Sequence, residues 1–431
     1  MRILFTTAPL HGHYFPLVPL ASAFRAQGHE VLVATSDHFV QTAARSGLPA
    51  AACGPGIGVH DLADRDANAG AATADAATAG APNQGSPTPG SSTHDARYAH
   101  GLVFARMAQR NLPGTLAIVR AWRPDAVVSE RAEVAGPIAA AAYGIPHAEL
   151  RWGVPDLAEY RAAAETVLRP QLDGFGFDAI PEPGAIADPW PPSLRLPHAA
   201  DHLALRHVPY DGVAEVSPWM LTPRPAHAAT ASTIRARNRI CVTFGTVLPH
   251  LSAHGLTGFI SELLHRLAKL DCELVLAADD DVAAKLRPFP SAVRHAGRVP
   301  LAVTLGSCRA LIHHGGQGTS LTALALGLPQ VALPRFDDQL ENADAVHRCG
   351  AGLALPLDEA TPLRVLRASE QVLEDPRFAS NARAVAAEIA AQPAPADVAR
   401  TLEAVLSRGR RPVPSRHRPT GLRRPLAPSS A

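Results

Sequence analysis

The sequence predicts an α/β protein made of two Rossmann-like domains that face each other. Short apolar runs alternate with helix-forming segments twice along the chain, first from residue 3 to residue 150 and again from residue 240 onward. Such an alternation is typical of βαβ units, which build parallel sheets. A chain of 431 residues is also long enough for two domains that each bury a core.

Both alternations are regular enough to place individual elements. In the first half, strands are predicted at 3–7, 31–34, 48–52, 126–129 and 146–150, and helices at 16–27, 39–45, 98–121 and 134–143. In the second half, strands are predicted at 240–244, 273–277 and 293–295, and helices at 256–270, 301–307, 338–348, 361–373, 379–391 and 395–406.

Other stretches lack the pattern of packed elements. Residues 63–94 have almost no large apolar side chain and end in a Gly, Ser, Pro and Thr cluster, so we expect a flexible loop. The chain after residue 151 is loop-rich, and residues 214–238 read as a linker. Residues 408–431, rich in Arg, Pro and Ser, predict a disordered basic tail. A nucleic-acid-binding arm is the alternative for this tail, and the net charge of +1 disfavours it.

Composition excludes several classes of protein. A net charge of +1 argues against a dedicated nucleic-acid surface. No run of about eighteen apolar residues occurs, so no transmembrane helix is predicted. Five scattered cysteines without a CxxC pair indicate reduced thiols in a cytoplasmic protein. The first ten residues lack the apolar core of a signal peptide.

The stretch from 311 to 343, LIHHGGQGTSLTALALGLPQVALPRFDDQLENA, carries the strongest chemical signal. An apolar run is followed by the glycine-rich turn GGQG and then by helix formers up to Gly327. Such a turn aims backbone N–H groups outward, and a helix start carries roughly half a positive charge, so phosphate suits it. His314, Thr319 and Ser320 add hydrogen-bond donors. A plain strand-to-helix connection is the alternative.

A second polar cluster follows the next predicted strand and contains Asp337, Asp338, Gln339 and Asn342. In a parallel sheet both loops open at the same edge, which is where such sheets bind ligands. A phosphate site beside side chains that suit hydroxyl groups suggests a nucleotide sugar.

These two motifs together resemble the donor signature of a known family. HHGGxGT followed by ALxxGxPQxxxPxxxDQxxNA closely resembles GT-B fold glycosyltransferases, in the bacterial natural-product branch that glycosylates macrolides, enediynes and polyketides with nucleotide sugars. PPSLRLP at 191–197 and LRHVPYDG at 205–212 also resemble segments that precede the interdomain linker in this family.

The resemblance implies a division of the chain. It gives an acceptor-binding domain at 1–213, a linker at 214–238, a nucleotide-sugar-binding domain at 239–394, and a helix at 395–407 that crosses back to the first domain. The loop at 63–94 would overhang the acceptor cleft, so a lid is the alternative to a merely flexible loop.

Glycosyl transfer to an alcohol needs a base, because the acceptor hydroxyl loses its proton as it attacks, and histidine suits that task. The sequence HGH puts His11 and His13 after the first strand, where a parallel sheet presents its ligands. His13 aligns with the base in the family's GHxxP motif, while capping of the next helix is the alternative. His11, Tyr14 and Phe15 are expected to line the acceptor site.

A carboxylate that orients the ring improves a histidine base. Glu130 ends the predicted strand AVVSE, in the position where the family often has an acidic partner. Glu133 and Asp125 are competing candidates.

On the donor side, the resemblance implies that His314 and the turn hold the diphosphate, with Thr246 on the facing loop. The turn residues concerned are Gly316, Gly318 and Thr319. Asp338 and Gln339 would bind sugar hydroxyls. Many relatives have a tryptophan that stacks on the nucleobase of the donor, and this chain has Arg298 before Val299 at that point. The donor could therefore be a uridine or a thymidine diphosphate sugar.

Three consecutive carboxylates, Asp279, Asp280 and Asp281, resemble a metal-binding motif of another transferase fold. Because they follow a strand in a domain that already has a phosphate turn, we expect a surface loop, and we expect no metal and no cofactor.

We therefore predict an inverting glycosyltransferase that moves a sugar from a thymidine or uridine diphosphate sugar to a hydroxyl of a hydrophobic natural-product aglycone. A nucleotide-sugar epimerase, a C-glycosyltransferase and a non-catalytic binding relative are the alternatives. The expected partners are the nucleotide sugar and a hydrophobic small-molecule acceptor. A homodimer or an activator protein is left open as a further partner.

Overall fold

The computed structural model describes residues 1–55, 93–221, 238–245 and 256–408. Within these ranges the chain forms two parallel sheets with helices packed against them, which confirms the predicted α/β class with two Rossmann-like domains. Nearly all of the predicted loop at 63–94, residues 222–237 of the predicted linker, and the predicted tail beyond residue 408 lie outside the described residues.

The first sheet has the strand order β3-β2-β1-β4-β5-β6-β7, and every neighbouring pair is parallel. The strands are β1 (Arg2–Thr6), β2 (Glu30–Ser36), β3 (Ala50–Gly54), β4 (Ala126–Glu130), β5 (His147–Leu150), β6 (Ile186–Asp188) and β7 (Leu203–Ala204). Ile3, Leu4 and Phe5 of β1 are all fully buried, since helices cover both faces of the sheet. This is why the strand reads as one continuous apolar run.

The helices of this half are α1 (His11–Tyr14), α2 (Leu17–Ala26), α3 (Val40–Ala44), α4 (Thr93–Trp122), α5 (Ala135–Ala142), α6 (Ala158–Val167) and α7 (Arg169–Phe175). The helical patterns at 98–121 belong to one helix, α4, which is 30 residues long.

The region after Arg151 is more regular than predicted. The sequence indicated a loop-rich segment, but α6, α7, β6 and β7 all form within it. Ala164, Leu168 and Leu172 pack with α4 in one apolar cluster, so tertiary burial stabilises helices that the local pattern did not reveal. β6 and β7 span three and two residues, which is too short for an apolar alternation to mark them.

The second sheet has the strand order β10-β9-β8-β11-β12-β13 and is also parallel. Its strands are β8 (Asn238–Thr243), β9 (Cys272–Ala277), β10 (Val293–Gly297), β11 (Ala310–His313), β12 (Gln330–Ala332) and β13 (Gly352–Ala354). Its helices are α8 (Leu256–Leu267), α9 (Asp280–Lys285), α10 (Leu301–Leu305), α11 (Gln317–Ala325), α12 (Asp338–Arg348), α13 (Pro362–Glu374) and α14 (Pro376–Ala391).

The last helix, α15 (Pro395–Arg408), returns to the first sheet. Val398, Ala399, Leu402 and Leu406 are buried in the same core cluster as the residues of β1 and α2. The Nε2 amide of Gln27 also donates to the Ala396 carbonyl oxygen at 2.7 Å. Burial of each leucine stabilises this packing by about 1.5–3 kcal/mol.

Both sheets reverse their strand order at the centre, between β1 and β4 in the first and between β8 and β11 in the second. In open parallel sheets, ligands bind outside the carboxyl ends of the strands at such a reversal. The loops at these two edges contact each other, because the Gly153 amide after β5 donates to Gln317 at the start of α11. The carboxyl-end edges of the two sheets are therefore neighbours.

Candidate active site

His13 and Glu130 meet at the switch point of the first sheet. His13 lies in the short helix α1 directly after β1, and Glu130 is the last residue of the neighbouring strand β4. The His13 Nδ1 atom lies 3.1 Å from Glu130 Oε1. The two atoms are within ion-pair range, although they lack the alignment of a regular hydrogen bond.

The Glu130 carboxylate is fixed from several directions. Its Oε1 atom accepts from the Ala8 amide at 3.1 Å, and Oε2 accepts from the Ala132 amide at 2.8 Å and from the Trp152 Nε1–H at 2.6 Å. Burial alone would raise the pKa of this carboxyl, but the His13 ring and the hydrogen bonds hold its pKa below the ordinary value. Glu130 is therefore an oriented, ionised partner for the His13 ring.

Aromatic side chains hold the His13 ring in place. Phe104 of α4 stacks on it with ring centroids 5.1 Å apart, and Trp152 meets it edge-on at 4.7 Å. Trp152 thus contacts both members of the pair, a role that sequence reasoning missed. Its position after β5, the neighbour of β4, was the available signal.

Neither competing carboxylate contacts His13. Asp125 accepts from the Arg2 amide at 2.8 Å at the opposite end of β4. Glu133 accepts from the Ala135 and Gly136 amides at 3.0 Å each, so it caps α5. Burial raises the pKa of Glu133 to about 7.

Of the three predicted acceptor-binding residues, His11 and Phe15 contact each other, and only Tyr14 is fully buried. His11 is half-buried and contacts Phe15 and Phe39 edge-on at 5.0 and 5.4 Å. Phe15 is also half-buried. The Tyr14 side chain instead lies in the core, where its hydroxyl donates to the Ala43 carbonyl oxygen at 3.1 Å.

The glycine-rich turn connects β11 to α11. Gly316 is the N-cap of α11 and no side chain caps this helix start. The fully buried His313 accepts from the Gly315 amide through Nδ1 at 3.1 Å, which stabilises the turn. Gly318 is exposed and Thr319 is half-buried at the first turn of the helix. This arrangement leaves a helix N-terminus facing the interdomain site, which suits a phosphate.

The His314 ring lies between two glycines. A Cβ atom on Gly245 would come within 2.8 Å of this ring, and one on Gly316 within 2.5 Å, so both positions require glycine. Burial lowers the pKa of His314 to about 4, and the Thr243 backbone offsets this only in part. The ring is therefore neutral and has one N–H to donate. Thr246, the predicted contact from the facing loop, lies outside the described residues.

The predicted sugar loop lies where β12 leads into α12. Asp338 Oδ2 accepts from the Asn342 Nδ2 amide at 2.6 Å. Burial and the neighbouring Asp337 raise the pKa of Asp338 to about 6. The Gln339 side chain is buried, and its Oε1 atom accepts from the Arg335 amide at 3.1 Å.

Asp337 contacts the first domain. Its backbone has a φ of 52°, a left-handed conformation that is strained for a residue with a Cβ atom. Its carboxylate accepts from the Tyr160 hydroxyl at 3.0 Å and pairs with His100 Nδ1 at 2.8 Å, and its carbonyl oxygen accepts from Arg97 at 2.9 Å. The first domain thus holds the predicted sugar loop from one side.

Arg298 and Val299 lie at the edge of the second domain. The Arg298 guanidinium is largely exposed and pairs with Asp279 at 2.9 Å. Val299 packs in an apolar cluster with Trp219 and Leu301.

The predicted surface loop at Asp279–Asp281 needs a correction, because Asp280 and Asp281 form the first turn of α9. Asp280 also accepts from the Arg298 amide at 3.2 Å. Carboxylates favour a helix start, since they complement its dipole.

Two further features are absent from the residues that the structure describes. These residues contain no group of three or more His, Cys, Asp or Glu side chains that could hold a metal ion. No helix among them is both long and apolar enough to cross a bilayer.

Known proteins share this architecture over nearly the whole chain. The glycosyltransferase SsfS6 of Streptomyces sp. SF2575, solved with thymidine diphosphate, has a TM-score of 0.77 at 32% identity and covers 94% of this chain and 99% of that chain. The spinosyn rhamnosyltransferase SpnG, solved with spinosyn aglycone, has a TM-score of 0.76 at 28% identity and covers 94% of this chain and 100% of that chain. The fold with its two switch-point sites is that of a GT-B glycosyltransferase.

Sequence comparison assigns the family. The N-terminal domain of the erythromycin biosynthesis protein CIII-like family matches residues 22–245, and the C-terminal domain of that family matches residues 261–405. The L-demethylnoviosyl transferase of Streptomyces niveus is 34% identical over 404 residues, which covers 94% of this chain and 98% of that protein. The chain belongs to the erythromycin biosynthesis protein CIII-like family and is an enzyme that transfers sugar. The resemblance seen in HHGGxGT and the following motif is confirmed.

Proposed function

We propose that this protein is an inverting O-glycosyltransferase that moves a sugar from a thymidine or uridine diphosphate sugar to a hydroxyl of a hydrophobic natural-product aglycone. His13 is the general base in this proposal. The observation that carries it is the pairing of His13 with a buried, ionised Glu130 at the switch point that faces the donor half.

Transfer takes place in a single displacement. The acceptor hydroxyl gives its proton to Nε2 of His13 while its oxygen attacks the anomeric carbon. The new bond forms opposite the breaking bond to the diphosphate, so the anomeric configuration inverts, and the nucleoside diphosphate leaves with the bonding electrons. Glu130 stabilises the imidazolium that forms, and Phe104 and Trp152 keep the ring oriented.

The second domain binds the donor. The start of α11 meets the diphosphate with free backbone N–H groups and the positive end of its dipole. The neutral His314 ring adds a donor, and Asp338 accepts hydrogen bonds from sugar hydroxyls. SsfS6 was solved with thymidine diphosphate, which supports thymidine over uridine as the nucleoside of the donor.

A hydrophobic acceptor is supported by the composition of the first-domain side of the site. Aromatic rings surround His13, and SpnG, a relative in fold, was solved with its spinosyn aglycone. Product analysis with and without an acceptor separates transfer from epimerisation, because only transfer consumes the acceptor.

The proposal is tested with two matched alanine variants. His13→Ala should fold and bind nucleoside diphosphate normally in isothermal titration, since the donor turn lies in the other domain, but turnover should fall roughly 10² to 10⁴-fold. His314→Ala should instead bind nucleoside diphosphate weakly. His11→Ala serves as a neighbouring control with a milder effect on turnover. Near-normal turnover of His13→Ala at saturating donor and acceptor would remove His13 as the base.

A further inference from the structure

Three consecutive residues after β5, Trp152, Gly153 and Val154, run between the two halves of the site. The Trp152 Nε1–H donates to Glu130 at 2.6 Å, and its ring lies edge-on to His13 with centroids 4.7 Å apart. This first residue is therefore in contact with the acid–base pair.

The next two residues donate to the second domain through their backbone. The Gly153 amide donates to Gln317 Oε1 at 2.6 Å, and the Val154 amide donates to Asn342 Oδ1 at 3.0 Å. Gln317 is the first residue of α11, the helix of the phosphate turn. Asn342 in turn donates to the Gly315 carbonyl oxygen at 3.0 Å and to Asp338 at 2.6 Å.

Gln317 accepts two hydrogen bonds from the first domain. Besides the Gly153 amide, its Oε1 atom accepts from the Trp190 Nε1–H at 2.8 Å. The Gln317 side chain is 6% exposed, so water does not replace these bonds when they break.

Gly153 lies too close to the sugar loop to carry a side chain. Its φ is +75°, and a Cβ atom there would lie 2.6 Å from the Asp338 Cβ atom. The backbone of the first domain therefore touches the predicted sugar-binding residue directly.

We propose that residues 152–154, which we call the bridge, are a positioning element of the transfer reaction. The bridge sets the separation between the His13–Glu130 pair and the donor groups of the second domain, with Gln317 and Asn342 as its acceptors. This proposal rests on one part of the proposed function, namely that the donor binds at α11 and Asp338. One three-residue segment contacts both half-sites, so a shift of one half-site changes the contacts of the other.

The first test removes the amide acceptor. Gln317→Met keeps the length of the side chain but loses both bonds from the first domain. We expect kcat at saturating donor and acceptor to fall roughly 10 to 10²-fold, since an error of about 1 Å in placement has such an effect. The Kd for nucleoside diphosphate should stay within about threefold, because the backbone of the turn is unchanged.

Gln392→Met is the matched control. Gln392 is also a buried glutamine between the halves, and its Nε2 amide donates to the Trp190 carbonyl oxygen at 3.3 Å, but it forms no hydrogen bond with residues 152–154. Its kcat should stay near that of the wild type. An equal fall in both variants would overturn the proposal, because any loosening of the interface would then have the same effect.

The second test adds a methyl group at Gly153. Gly153→Ala introduces the clash with Asp338 and should lower kcat without loss of nucleoside diphosphate affinity. Gly176→Ala is its control, since Gly176 has nearly the same φ, +74°, and nothing within 4 Å of its added Cβ. This pair separates the clash from backbone strain, and both variants are checked for cooperative unfolding.

Two further outcomes contradict the bridge. Wild-type kcat in Gln317→Met would exclude it, and a loss of nucleoside diphosphate affinity that matches the loss of kcat would make Gln317 a donor-binding residue instead. The outcome for Gln317→Met can be told apart from a failure of His13 as the general base. If His13→Ala stays active while Gln317→Met is slow, the base is wrongly assigned and the bridge stands.

Discussion

Replacing Glu130 with glutamine should remove most of the transfer activity while leaving the donor site intact. The carboxylate accepts from the Ala8 amide on one oxygen and from the Ala132 amide and Trp152 on the other. A glutamine has only one oxygen. Pointing that oxygen at Ala132 and Trp152 satisfies two donors, so the amide NH₂ then faces the Ala8 N–H and His13 Nδ1.

This orientation puts the His13 ring in the wrong tautomer. Nδ1 becomes the acceptor of the glutamine NH₂, so the ring proton moves to Nε2, the atom that has to take the proton from the acceptor. The same exchange in a serine protease triad lowers kcat about 10⁴-fold. Because the His13–Glu130 contact is not an aligned hydrogen bond, we expect a fall of roughly 10² to 10⁴-fold, similar to that for His13→Ala.

The variant should also be less stable. The Ala8 N–H loses its acceptor in a buried position, which costs about 1–3 kcal/mol in the free energy of unfolding. The assay therefore combines product formation at saturating donor and acceptor, denaturant unfolding, and titration with nucleoside diphosphate. Only the affinity for nucleoside diphosphate should match that of the wild type.

Glu133→Gln is the control for exchanging a buried carboxylate for an amide. Glu133 caps α5 and does not contact His13, so this variant should keep its turnover. Turnover of Glu130→Gln within about threefold of the wild type, or an equal loss in Glu133→Gln, would refute the role of Glu130.

Two further predictions follow from the burial of single side chains. Asp338→Asn should impair transfer and spare nucleoside diphosphate binding. It should also gain stability relative to the wild type as the pH rises from about 3.8 to about 6, because the folded protein keeps a proton on Asp338 in that window and the unfolded chain does not. Tyr14→Phe should lower the free energy of unfolding by about 0.5–1.5 kcal/mol through the lost bond to Ala43, without changing the KM for the acceptor.

The strands that carry the site could be predicted because they lie at the centre of their sheets. β1, β4, β8 and β11 are buried on both faces, so each reads as an apolar run that ends in polar or glycine-rich residues. Since parallel strands present their carboxyl ends at one edge, His13 could be placed among the ligand-facing residues after β1, whereas Glu130 was expected as its partner only from the resemblance to the family.

Roles that depend on contacts between distant residues could not be predicted. Gly153 and Gln317 are separated by 164 positions, and no local pattern marks either as a partner of the other. The burial of Tyr14 was missed for a local reason. It follows His13 directly, but consecutive side chains on a helix point in different directions, so Tyr14 enters the core.

The return of α15 to the first sheet affects how this protein is made and how it is recombined. Domains generally fold in the order in which they are synthesised. Here the core of the first half is completed by Val398, Ala399, Leu402 and Leu406, which are among the last residues of the described chain to leave the ribosome. A chimaera joined after residue 221 would cover one parent's first core with the other parent's helix. Exchanged halves should therefore carry residues 395–408 together with the first domain.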